Sequence, residues 1–146
     1  MPLTSPPELP ELLAHELNLL VTRLRDFSPA RYAAPAPPFA SRAAALRHLA
    51  GYLVVAAGID RQLPALPDMA LADVIAVTGH DLCAAAPTEA VAAAALAEVL
   101  LHRYEVDGSL PGRRAAASVL RVLEPSVTPS PSRLLRVARL SCPAYG

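Results

Sequence analysis

The chain has no tryptophan, no lysine and few aromatic residues, and its net charge is zero. Aromatic residues make up only 4% of its 146 residues, so a core must be built from closely packed Leu, Val and Ala. All thirteen basic residues are arginines, and with abundant alanine and proline this composition indicates a GC-rich bacterial genome. The zero net charge provides no global field that would favour nucleic acid, so no nucleic-acid partner is expected.

Cysteines and long hydrophobic runs are also scarce. Cys83 and Cys142 have neither the spacing of a metal site nor the number that a disulfide framework needs. The N-terminus has no basic region followed by an apolar one, so no signal peptide is predicted. The longest uncharged helical run, residues 48–59, is too short to cross a bilayer. We therefore expect a cytoplasmic protein with reduced thiols and no membrane span.

Prolines divide the chain into segments with helical periodicity. Leucines at helical spacing predict a first helix over residues 10–27, and a proline-rich connector follows over residues 28–40. The further predicted helices cover residues 41–63 with Ser41 as N-cap, 69–85 with Asp68 as N-cap, 89–106 with Thr88 as N-cap, and 109–124. No alternating apolar pattern predicts a strand.

These segments predict an all-α fold. We expect an antiparallel bundle of four main helices plus a short fifth helix over residues 1–124. A proline-rich linker and a short C-terminal tail helix that docks on the bundle are expected over residues 125–146. Gly51 and Gly58 share one face of the second helix, and close approach of another helix there would justify the cost of two glycines.

Two histidines on apolar helical patterns are the main candidates for chemistry. His48 and His80 are both expected to be mostly buried, since their neighbours are Ala, Leu and Val. Asp73 lies seven residues before His80, and Cys83 lies one turn after it. A carboxylate, an imidazole and a thiol on one helix edge could bind a metal or activate a nucleophile. Structural roles for both histidines remain the open alternative, and Glu11 with His15 and His102 with Arg103 are interpreted as solvated faces.

The segment Ala-Leu-Arg-His-Leu-Ala around His48 resembles the N-terminal bundle of mycothiol-dependent maleylpyruvate isomerases and their DinB-like relatives. The resemblance covers about residues 10–86. It implies a helical bundle that holds a divalent metal, with His48 as the first ligand and His80 as the last. The position four residues before His80 is Ala76, which cannot ligate a metal, so Asp73 would have to serve as the further ligand. A divalent metal is therefore possible but not favoured.

Charge is unevenly distributed along the chain. The acidic residues concentrate between residues 60 and 100, and arginines dominate the last third. Arg133, Arg136 and Arg139 form one basic edge of the predicted tail helix and are candidates for partner binding, by contact with the acidic region of the same chain or with another molecule. From all these features we favour a non-enzymatic protein-interaction module that forms a homodimer or binds a protein partner. The alternative is a DinB-like metal- or thiol-dependent enzyme.

Overall fold

A computed structural model describes residues 8–107, and most of this part of the chain is helical. It contains α1 (Leu9–Arg25), α2 (Pro29–Ala33), α3 (Arg42–Ala56), a 3-10 turn (Asp68–Ala70), α4 (Leu71–Ala84) and α5 (Glu89–Asp107). No strand occurs between residues 8 and 107, where the one β-type contact is an isolated bridge between Ala36 and Phe39. The all-α prediction is confirmed for these residues. The predicted fifth helix over residues 109–124 and the predicted tail helix within residues 125–146 lie outside the described residues.

The predicted leucine seam organises α1. Leu13, Leu17, Leu20 and Leu24 are all buried, so one side of the helix faces the core along its whole length. Pro10 lies in the first turn, where a missing N–H is not needed by the helix. The backbone N–H of Asp26 closes the C-terminal end by donating to the carbonyls of Arg23 and Leu24.

The connector after α1 contains a short helix that the proline content did not predict. Ser28 caps α2 by accepting a hydrogen bond from the backbone N–H of Arg31. Tyr32 is 1% exposed, and its hydroxyl donates to the carbonyl of Leu24 at 3.0 Å. The edge of its ring packs against Phe27, with ring centroids 5.3 Å apart. Burial, followed by the negative charges of Asp68 and Asp73, raises the pKa of Tyr32. The tyrosine therefore holds the connector against the C-terminal end of α1.

The predicted N-cap of α3 is confirmed, but the helix ends seven residues earlier than residue 63. The hydroxyl of Ser41 accepts from the backbone N–H of Ala44 at 3.1 Å. At the other end Gly58 has a φ of +74°, and the backbone N–H groups of Gly58 and Ile59 donate to the carbonyls of Val55 and Val54. This is a Schellman C-cap, which requires a left-handed residue at the position of the glycine. The sequence-based prediction extended the helix past Gly58 because apolar residues continue beyond it.

The expected helix contact at Gly51 and Gly58 is therefore wrong. A Cβ built at either position meets no atom within 4 Å. Gly58 ends the helix, and Gly51 lies inside α3 with open space beside it. The close helix approach occurs at Gly79 instead, where an added Cβ would lie 2.8 Å from Cδ1 of Leu17.

The segment between α3 and α4 returns along α3. Arg47, in the first half of α3, donates to the carbonyl of Leu66 at 3.0 Å and to the carboxylate of Asp68 at 2.5 Å. Asp68 is therefore an ion-pair partner of α3 and makes no side-chain cap at the helix start, contrary to the prediction. Thr88 does cap α5 as predicted, by accepting from the backbone N–H of Val91 at 3.3 Å.

Each long helix packs mainly against two others. α1 contacts α4 and α5, and α3 also contacts α4 and α5. α1 and α4 run in opposite directions, because Leu17 lies against Gly79 while Arg25 lies against Asp73. α1 and α5 run in the same direction, because Leu9 packs on Ala93 and Ala94 while Glu16 pairs with Arg103.

The direction of α3 differs from a simple antiparallel order. The guanidinium of Arg42, at the start of α3, lies 5.7 Å from the ring centroid of Phe27, just beyond the end of α1. The start of α4 lies at the same end of the molecule, because Arg25 of α1 pairs with Asp73. α3 and α4 therefore begin at the same end of the molecule and run in the same direction. This is possible because residues 57–67 return the chain from the end of α3 to the end where α3 began.

Substitution by alanine is predicted to have opposite effects at Gly51, inside α3, and at Gly58, which follows its end. Gly58→Ala forces an alanine into the left-handed region and should lower the free energy of unfolding by about 1 kcal/mol. Gly51→Ala should raise the free energy of unfolding by about 0.5–1 kcal/mol, because a helix interior with room for a methyl group favours alanine. Urea unfolding followed by circular dichroism measures both. Equal effects of the two substitutions would contradict the assignment of Gly58 as the C-cap.

Candidate functional site

An open groove of about 290 Å³ lies between α1 and α4. Both helices contribute residues one turn apart, so the groove follows the contact between them. Its lining residues are Ala14, Leu17, Asn18, Val21, Arg25, Ala76, Gly79, His80 and Cys83. Most of these side chains are small or apolar, with polar groups at the ends and along the rim. Such a surface suits an apolar segment of a partner.

The shape of the groove depends on Gly79. Because this residue has no side chain, Leu17 of α1 lies directly on the backbone of α4. Gly79 itself is buried, whereas its neighbour Val77 is 60% exposed on the outer edge of α4. The helices therefore touch at Gly79, and the outer edge of α4 presents apolar surface to solvent.

An exposed ion pair marks one end of the groove. The guanidinium of Arg25 lies 3.7 Å from the carboxylate of Asp73, and the two side chains are 62% and 78% exposed. Solvent screens a pair of this kind, so its contribution to stability is about 0–1 kcal/mol. Asp73 therefore interacts with α1 in this structure. The metal hypothesis instead required Asp73 to act together with His80.

The prediction that both histidines are mostly buried is wrong. His48 is exposed, and its ring packs on Phe39 with centroids 5.1 Å apart. The side chain of His80 is 82% exposed, with Nδ1 located 3.9 Å from the carboxylate of Asp81. Both histidines lie on the solvent-facing stripe of helices whose alanines extend onto that stripe. Alanine is found on either side of a helix, so the apolar neighbours did not reveal the orientation.

The candidate ligands His48, His80 and Asp73 are not brought together in a metal centre. Among the described residues, no group of three or more His, Cys, Asp or Glu side chains is arranged to hold a metal ion. His80 and Cys83 do line the same groove, one turn apart on α4. Burial raises the pKa of the Cys83 thiol, which keeps it protonated at neutral pH and reduces its nucleophilicity.

Sequence reasoning missed a line of shielded charges where α5 faces its neighbours. Glu16 of α1 forms an ion pair with Arg103 of α5, and both side chains are largely shielded from solvent. His102 and Glu98, one turn apart on α5, are 1% and 4% exposed, with Nε2 and a carboxylate oxygen 4.0 Å apart. The interpretation of His102 as a solvated residue is therefore wrong. The i, i+4 spacing of Glu98 and His102 on a helix with apolar residues all round was the available signal.

His15 and Glu11 are exposed, as predicted for the outer face of α1. The proposed partner-binding residues Arg133, Arg136 and Arg139 lie outside the described residues. The charge asymmetry is clear from the sequence itself: residues 8–107 contain seven arginines and twelve acidic residues, and residues 108–146 contain six arginines and one acidic residue.

Comparisons with protein-family models, with curated proteins and with solved structures found no match. Within residues 8–107, no helix is both long enough and apolar enough to cross a membrane.

The environment of Cys83 predicts that its thiol reacts slowly with thiol reagents. The full-length Cys142→Ser variant leaves Cys83 as the single thiol. Its rate of reaction with a thiol reagent should rise with pH around an apparent pKa. This pKa should be higher in the folded variant than in the same variant unfolded in urea. The sign follows from burial, which disfavours the charged thiolate. The reaction rate measured from about pH 6 to 11 checks this prediction. An apparent pKa below that of the unfolded chain would instead indicate an activated cysteine.

Proposed function

We propose that this protein is a non-enzymatic interaction module that associates with a second copy of itself through the α1–α4 groove. In this proposal the four long helices of residues 8–107 form one four-helix bundle, with α1 and α5 running one way and α3 and α4 the other. The observation that carries the proposal is the groove itself, which is open to solvent and lined mostly by small and apolar side chains. The exposed Val77 extends this apolar surface along α4.

The outer stripe of α1 is self-complementary. Glu11, Asn18 and Arg25 are spaced seven residues apart and therefore share one side of the helix. All three are exposed, with an acidic group at one end and a basic group at the other. A two-fold axis near Asn18 would place Glu11 of each copy beside Arg25 of the other. Matching of a surface to itself is what an isologous dimer requires.

A charge exchange tests this dimer. Glu11→Arg and Arg25→Glu should each weaken association several-fold, because each places like charges opposite one another across the interface. The double variant should recover association, because the opposite charges are restored in exchanged positions. Arg25→Glu also loses the contact with Asp73, but the double variant shares that loss, so recovery would come from the new pair.

The association constant is measured by light scattering or sedimentation from micromolar to near-millimolar protein. A monomer throughout that range would refute self-association, and the groove would then be left to a different protein partner. Failure of the double variant to recover would refute the two-fold arrangement about Asn18.

A matched pair of alanine substitutions locates the contact surface. Ala14→Glu places a carboxylate in the groove at an exposed position and should reduce association at least tenfold. Ala90→Glu adds the same side chain at an exposed position in the first turn of α5 and should leave association unchanged. Equal effects of the two substitutions would show that the groove is not the interface.

The second candidate is a metal- or thiol-dependent enzyme of the DinB-like type. The observation that favours it is the position of His80 and Cys83 on one groove. Metal analysis of the full chain, purified without a histidine tag, distinguishes the two candidates. One stoichiometric divalent ion that is lost in His80→Ala and in His48→Ala would favour the enzyme.

We also propose a cytoplasmic location, in keeping with the free thiol of Cys83.

A further inference from the structure

Two arginines converge on one aromatic ring at the end of the molecule where α1 ends and α3 begins. The guanidinium carbon of Arg31, in α2, lies 4.2 Å from the ring centroid of Phe27. The guanidinium carbon of Arg42, the first residue of α3, lies 5.7 Å from the same centroid. Both distances are within the range of a cation–π contact. Two positive groups that repel each other are therefore held over one ring.

The base on which these arginines lie is fixed by buried contacts. Phe27 is 3% exposed, and the edge of its ring packs against the buried ring of Tyr32. The backbone N–H of Arg42 donates to the carbonyl of Ala34 at 2.9 Å, which joins the start of α3 to the end of α2. The positions of both arginines in the fold are thus set by the chain itself, before any ligand binds.

Neither guanidinium group has a carboxylate partner. In the part of the chain that the structure describes, ion pairs with acidic residues involve the side chains of Arg25, Arg47 and Arg103. Arg31 and Arg42 take part in no ion pair of this kind. Residues 8–107 contain seven arginines and twelve acidic residues, so carboxylates are not scarce. The positive charge over Phe27 is therefore not compensated by the described part of the protein.

The start of α3 adds to this positive potential. The N-terminal end of a helix carries a partial positive charge, which favours anions and disfavours cations. Arg42 occupies this position, and the first turn of α3 contains no acidic residue. Asp26, which precedes Phe27 in the chain, is exposed and forms no ion pair with either guanidinium group. An external anion would balance both the arginines and the helix end.

We propose that Arg31 and Arg42 form a binding site for the phosphate group of a ligand. A phosphate monoester carries a charge of about −1.5 to −2 at pH 7 and three acceptor oxygens, so it can accept hydrogen bonds from two guanidinium groups at once. A carboxylate has one charge and two oxygens, which a single arginine can satisfy. Neither arginine lines the α1–α4 groove, so this site is independent of self-association.

Titration of the unaltered full chain with inorganic phosphate tests the proposal. We expect saturable shifts of the Nε–H resonances of Arg31 and Arg42 in nitrogen–proton NMR spectra, with a dissociation constant in the millimolar range. Acetate at the same ionic strength screens the charges equally but should bind at least about fivefold more weakly, because it cannot bridge both groups. No saturable shift with phosphate, or equal binding of acetate, would overturn the proposal.

Substitution separates this site from general attraction to positive charge. Arg31→Gln and Arg42→Gln should each weaken phosphate binding at least about fivefold, and the double variant should abolish it. Arg61→Gln removes the same charge from an exposed arginine in the segment after α3 and should change the dissociation constant by less than about twofold. An equal loss in Arg61→Gln would overturn the proposal. Circular dichroism checks the fold, and if a variant unfolds, titration of the unaltered chain decides.

A sedimentation assay identifies the source of the phosphate group. Phosphatidylcholine vesicles with and without phosphatidic acid are mixed with the unaltered chain and with the Arg31→Gln, Arg42→Gln double variant. Phosphatidic-acid-dependent sedimentation of the unaltered chain that the double variant loses would assign the site to a lipid headgroup. Binding of inorganic phosphate without such sedimentation would assign it to a soluble phosphate compound. Sedimentation that the double variant retains would overturn a lipid headgroup as the ligand of this site.

Discussion

The packing of α1 is the constraint on which the rest of the described structure depends. Its leucine seam faces α4 and α5 together, so one stripe of side chains sets the positions of two helices. Leu17 lies against the backbone of α4 at Gly79, and this contact brings the two helices close enough to leave only a shallow groove beside them. A larger residue at position 79 would force the side chain of Leu17 to move and would alter the groove.

Charged residues determine the orientation of the helices more than the stability of the fold. The exposed pairs Arg25–Asp73 and Arg47–Asp68 join ends that lie together, but solvent screens them and they add little to stability. The shielded pair Glu16–Arg103 has a different role, because removing one partner would leave the other charge poorly solvated. It aligns α5 parallel to α1, which the alanine-rich surface of α5 could not specify by itself.

The same alanine-rich composition has opposite consequences on α4 and on α5. On α4 and α1, small side chains leave a mostly apolar groove open to solvent. On α5, small side chains allow close packing, and every residue from 92 to 102 is buried. Charge is also divided along the chain, because residues 8–107 carry a net charge of −5 and residues 108–146 carry +5.

The sequence by itself determined the helical class, the leucine seam of α1 and the caps at Ser41 and Thr88, because these features depend on local spacing and on single backbone hydrogen bonds. It also contained the stop at Gly58, which the apolar residues on both sides concealed. Tertiary structure alone decided which way the histidines face, where Asp68 and Asp73 find partners, and that His102 is buried. Alanine tolerates the core and the surface equally, so a helix rich in alanine does not define its buried side until its neighbours are in place.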